Sequence, residues 1–169
     1  MRRTRIRSGE TDDSAGRGSI DRGLASRLMG SVFTRIIQGE LPGTFIWRDD
    51  RCVAFLSINP LQPGHTLVVP VEEIDHWIDA DPALNAHLMD VAQQIARALQ
   101  AAFDPTRVGL IIAGLEVPHL HLHVVPIRTE RDLDFANAAR SVEPEALERA
   151  AERIRAELRA IGAPGVAER

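Results

Sequence analysis

The chain has 169 residues, 44% hydrophobic and 26% charged, with a net charge of −4; this suits one soluble domain with a single core and argues against a general nucleic-acid binder, which carries a basic footprint. A lone cysteine, Cys52, excludes an intramolecular disulfide framework. No apolar run approaches the roughly 18 residues of a membrane span and none has the form of a signal peptide, so a cytoplasmic protein is expected.

Residues 1–28 carry seven arginines (Arg2, Arg3, Arg5, Arg7, Arg17, Arg22, Arg27), frequent Gly and Ser, and hardly an apolar pattern. Such a segment cannot offset its ordering entropy and is expected to be a disordered basic tail. Met29-Gly30-Ser31-Val32-Phe33 reads as a natural beginning of the folded part. Val32, Phe33, Ile36 and Ile37 then recur at helical spacing, with Gly39 as a stop. Thr44–Trp47 and Cys52–Leu56 predict a hairpin around Arg48-Asp49-Asp50-Arg51, with Cys52 as a small buried hydrophobe. Asn59-Pro60 and Pro63-Gly64 predict a loop, His65–Val69 a third strand closed by Pro70, and Val71–Ile78 a short helical turn.

Asp81 as N-cap and Pro82 at the first position predict a long amphipathic helix to Phe103, with Leu84, Leu88, Val91, Ile95 and Leu99 inward. His76 and His87 are expected at the surface. Val108–Ala113 and Pro118–Ile127 read as strands four and five, antiparallel neighbours joined tightly through Gly114-Leu115-Glu116. A last helix from Pro144 carries Leu147, Ile154, Leu158 and Ile161 in phase. The order gives an α+β fold around a five-stranded, mostly antiparallel sheet with a long crossing helix and a C-terminal helix.

In Pro118-His119-Leu120-His121-Leu122-His123, three histidines stand at i, i+2 and i+4. On a strand all three imidazoles share one face, while Leu120, Leu122 and Val124 form the other. Such a cluster can attack phosphorus, exchange protons or ligate a metal. Three histidines can also hold zinc with an open position for activated water. From spacing alone, nucleophilic and metal chemistry rank near equal.

The pattern resembles that of the histidine triad family of nucleotide hydrolases and transferases. Ile36-Ile37-Gln38-Gly39-Glu40-Leu41-Pro42 is similar to the family's opening helix and turn, and Asn59-Pro60-Leu61-Gln62-Pro63-Gly64-His65-Thr66-Leu67-Val68-Val69-Pro70 to its second signature. The likeness runs from about Val32 to Phe135. It implies three segments: a tail (1–28), the family domain (29–135) and a helical extension (136–169). It implies His121 as a nucleophile forming a nucleotidyl-histidine, His123 on the phosphate, His119 in support and His65 near the leaving group. Phe33, Ile36 and Phe55 would line the base, with Ser57, Ile58 and Asn59 along the nucleoside and Leu115 and Glu116 beside the phosphate. The substrate so implied is a purine nucleotide, either a nucleoside phosphoramidate or an acyl-nucleotide, with no cofactor, no nucleic-acid or membrane partner, and a homodimer. Alternatives are dinucleoside polyphosphate hydrolysis, nucleotide binding with little turnover, and a zinc hydrolase.

This chain departs from the family at several places. Many bacterial members hold structural zinc through a Cys-x-x-Cys on the opening helix. Ser31 and Thr34 stand there in this chain, with Glu73 at another ligand position. Hydroxyls are poor zinc ligands, so no zinc is expected. Gly114-Leu115 replaces a common Gly-Gln, Ser57 an acidic ribose contact, and Val108–Ile112 an Asn-rich stretch, which bears on substrate range and turnover.

Overall fold

Every residue of β2 (Cys52–Leu56) and β3 (Thr66–Pro70) is buried, as strands covered on both faces must be. The computed structural model describes residues 30–168, so the tail expected at 1–28 lies outside the described residues. With β1 (Phe45–Arg48), β4 (Arg107–Ile112) and β5 (Leu122–Ile127), these strands form one sheet in the order β1-β2-β3-β5-β4. Every neighbouring pair is antiparallel, which bears out the expected fold class.

Alternation divides the sheet into two faces. Cys52, Ala54, Leu56, Val68, Leu122 and Val124 pack against helices α2 (Pro82–Phe103) and α3 (Pro144–Ala160). Val53, Phe55, Leu67 and Val69 turn the other way and meet Phe33 of the short helix α1 (Val32–Ile37). Helix α2 begins as the sequence predicts, with Asp81 Oδ1 accepting from the Ala83 N–H at 2.7 Å and Pro82 at its first position. Its buried stripe contains all five predicted residues.

Two local expectations are corrected. The fifth strand starts at Leu122 rather than at Pro118, so His119 and His121 precede the hydrogen-bonded ladder. The tight turn is instead a longer connection over 113–121. Pro118 has no N–H for a ladder, and the Leu120 N–H goes to the Ile74 carbonyl at 2.6 Å, away from β4. That same bond engages the 71–78 stretch, where the expected helical turn is reduced to a single hydrogen-bonded turn at its end, the Asp79 N–H meeting the His76 carbonyl at 3.0 Å.

The C-terminal helix enters the core through Ala151, Ile154 and Leu158, and carries a buried arginine. Arg155, 1% exposed, donates from Nε to the Phe45 carbonyl at 2.9 Å and from Nη1 to Glu148 and Glu152 at 2.8 and 3.0 Å. Arg155→Ala strands the Phe45 carbonyl and opens a cavity between α3 and β1. The expected loss is about 3 kcal/mol, read from urea unfolding midpoints; a change below half of this would mean that the helix is held by its apolar stripe alone.

Candidate active site

The entry to β5, the end of the 57–64 loop and the start of α1 bring four histidines together. His65, His119, His121 and His123 are all buried. Gly64, with φ of 91°, turns the chain into His65, and a Cβ there would stand 2.7 Å from the Phe103 ring. The ring centres of His121 and His123 lie 4.8 Å apart, and those of His65 and His123 5.2 Å.

Hydrogen-bond partners fix every tautomer, because a ring nitrogen facing a carbonyl must donate and one facing an N–H must accept. His119 Nε2 lies 2.9 Å from the Pro70 carbonyl and donates, so its Nδ1 accepts from the Ser31 hydroxyl at 2.7 Å. His121 Nδ1 donates to the His119 carbonyl at 2.7 Å, which leaves Nε2 as a bare lone pair. The Leu61 N–H donates to His65 Nδ1 at 3.0 Å, so His65 Nε2 donates to His123 Nδ1 at 2.9 Å. His123 therefore presents its Nε2–H outward. One face of the cluster offers a lone pair and, beside it, a donor.

Burial keeps these rings neutral. It is the largest cause in each case and pushes His65 down to about 4 and His123 to about 3, with repulsion from His121 adding to both. His119 and His121 are lowered as well, again chiefly by burial. Opposing effects are the Pro70 carbonyl and Glu73 for His119, and the His119 carbonyl and Glu116 for His121.

The other candidates fall into distinct places. The Phe33 ring meets His121 edge-on at 5.0 Å and Phe55 at 5.6 Å, and both phenylalanines are buried with Ile36 packed alongside. Ser57 accepts from the Asn59 N–H at 3.2 Å, and Ile58 is 69% exposed. The Asn59 amide is committed to the carbonyls of Ala139 and Arg140 at 3.1 and 2.7 Å. Leu115 is 95% exposed and Glu116 is exposed. A cleft of about 40 Å³ borders His121 between Trp77, Gly114 and Leu120, and a cavity of about 230 Å³ lies beside His65 under the 57–64 loop.

Sequence reasoning missed two features. Phe135, reached through short 3-10 turns at Glu130–Leu133 and Phe135–Asn137, stands edge-on to the His123 ring at 5.1 Å. No spacing rule could have returned it to the site, since it follows irregular chain. His87, expected at the surface, is half-buried and pairs with Asp49 at 2.9 Å. With Cys52, these two bring three ligand-type atoms within 4.8 Å of one another. Burial and Asp49 hold the Cys52 thiol far above its usual range, and Asp49 already accepts from Trp47 and His87, so the group reads as a hairpin anchor.

The residues standing where family members hold zinc also converge. The Thr34 hydroxyl donates to Glu73, the Ser31 N–H donates to the same carboxylate at 2.8 Å, and Ser31 Oγ reaches His119 Nδ1. This set does not fit zinc. Neutral hydroxyls are poor ligands beside the thiolates and imidazoles that zinc selects, and the Ser31 hydroxyl is already engaged with His119 Nδ1 at 2.7 Å.

Comparison with known proteins agrees with this geometry. Residues 38–130 match the HIT domain model. A HIT-like protein of Borreliella burgdorferi is 38% identical over 102 residues, covering 56% of this chain and 73% of that one. Adenylylsulfatase HINT3 of Arabidopsis thaliana is 31% identical over 130 residues, covering 73% of this chain and 64% of that one. Among solved structures, a zinc-bound histidine triad family protein from Mycobacterium smegmatis superposes with a TM-score of 0.69 at 30% identity, covering 80% and 97% of the two chains. With its sheet, its four converging histidines and a matched segment longer than half its length, the chain belongs to the histidine triad family of nucleotide-binding hydrolases and transferases.

Proposed function

We propose that the protein hydrolyses a purine nucleotide carrying an amine or acyl group on its α-phosphate, through a covalent nucleotidyl-His121 intermediate. The bare Nε2 of His121 carries this reading, since its Nδ1 proton is committed to the His119 carbonyl. A neutral imidazole held in this tautomer attacks phosphorus in line and the bond to the leaving group breaks, an acyl group departing as carboxylate and an amine taking a proton from water. A second water then attacks the phosphoramidate, losing a proton to solvent, to release nucleoside monophosphate and free histidine. His123 Nε2–H donates to a non-bridging oxygen, where charge must be stabilised. His65, with both nitrogens engaged, serves by keeping His123 in its donating tautomer. Phe33 and Phe55 supply an apolar wall for the base, and Phe135 closes the site beside His123.

The family relative named an adenylylsulfatase supports an adenylyl group with an acidic leaving group as kindred chemistry. The outer edge of β4 bears Leu110 and Ile112, 42% and 37% exposed, and is the natural seam for a homodimer.

Incubating the protein with adenosine 5′-phosphoramidate and, separately, diadenosine tetraphosphate tests the reaction. AMP released faster from the phosphoramidate, with an adenylyl adduct on His121 in the mass spectrum, is the expected result. Preference for the tetraphosphate would move the reading to dinucleoside polyphosphate cleavage. Binding of AMP without turnover would make the chain a nucleotide-binding protein, as its Leu115 and Ser57 suit.

A further inference from the structure

His119 and His121 lie ahead of the β5 ladder, so strand pairing does not hold them. Something else must, because His119 is fully buried and its carbonyl aims His121. The anchors come from two distant segments. Pro70 accepts from His119 Nε2, and the start of α1 supplies the Ser31 hydroxyl to Nδ1. Ser31 is in turn fixed by the Thr34 N–H at 3.0 Å and, through its own N–H, by Glu73 at 2.8 Å. Thr34 donates its hydroxyl to the same carboxylate. Each proton has one place to go: Thr34 to Glu73, Ser31 to His119, His119 to Pro70.

We infer that Glu73, Thr34 and Ser31 form a metal-free clasp that holds His119 in its Nε2–H tautomer and so sets the aim of His121. The three are positioning residues, and the inference rests on the reading of His121 as nucleophile. Glu73 orients both groups of α1 that face it, and Ser31 passes that orientation to the buried ring. A neutral hydroxyl suffices here because the task is to donate one proton to Nδ1. Two thiolates would instead repel one another without a cation, so substituting them should turn the clasp into a metal site.

Three measurements on the full-length protein decide it. Nitrogen-15 spectra of the imidazoles should give His119 as the Nε2–H tautomer with a hydrogen-bonded Nδ1 acceptor; an Nδ1–H tautomer would overturn the clasp. Glu73→Ala should lower kcat roughly 10- to 100-fold with KM unchanged, while Glu73→Gln, which still accepts from Ser31 and Thr34, should retain most of the rate. Equal rates in all three proteins would overturn the positioning role. Dialysed against zinc, the wild-type protein should hold far less than one equivalent, whereas the Ser31→Cys/Thr34→Cys variant should take up one, with the visible bands of tetrahedral cobalt(II) on substitution. A stoichiometric wild-type zinc lost in Glu73→Ala would make these residues metal ligands. If the wild type turns over no nucleotide, the functional reading fails, while the spectra and metal titrations still decide the clasp.

Discussion

Alanine at His121 is expected to lower kcat at least about 10³-fold and to remove any nucleotidyl adduct, with folding intact. In the proposed mechanism the ring supplies a nucleophilic lone pair that no neighbour can replace. His123 presents a proton in the same volume, His119 is turned to Pro70 and Ser31, and His65 has both nitrogens engaged. The structural cost is modest, because the substitution removes one hydrogen bond to the His119 carbonyl and an edge contact with Phe33. We expect less than about 2 kcal/mol in urea unfolding. Single-turnover kinetics with intact-mass detection provide the check. A variant that still hydrolyses phosphoramidate at the wild-type rate would end the covalent mechanism.

Stability should fall steeply as the medium is acidified from about pH 6.5 towards pH 4. Folding holds His65 near 4 and His123 near 3, whereas the unfolded chain protonates them near the ordinary 6.5. A group whose folded pKa is depressed in this way favours the fold fully above the unfolded value. Below it the unfolded state binds the extra proton, and each such histidine costs about 1.4 kcal/mol per pH unit until its folded pKa is reached. His119 and His121 act in the same direction. Carboxylates held low, such as Asp49 and Glu73, lose their contribution on further acidification, as the pH falls through the usual carboxylate range towards their depressed folded values. Urea midpoints across pH 7.5 to 4 should therefore drop most between 6.5 and 4, and His65→Gln should flatten that slope. A flat profile in the wild type would mean that water reaches the rings.

Much of this was readable in the residues because the relevant periods are strict. The stripe of Leu84, Leu88, Val91, Ile95 and Leu99 and the cap at Asp81 define α2, and the alternation around His121 puts core on one side and imidazole on the other. What escaped depended on partners remote in sequence. The shortened fifth strand follows from Leu120 bonding Ile74, the closing of the site by Phe135 from irregular chain, and the pairing of His87 with Asp49 from a helix crossing a hairpin. None of these leaves a periodic trace.

One consequence concerns how such a protein can change. Leu122 and Val124 belong to the main core while His123 between them belongs to the site. Leu122, His123 and Val124 share one stretch of backbone, so repacking of that core acts on the segment that carries His123. Exposed side chains such as Ile58 and Leu115 can instead be exchanged without disturbing the core.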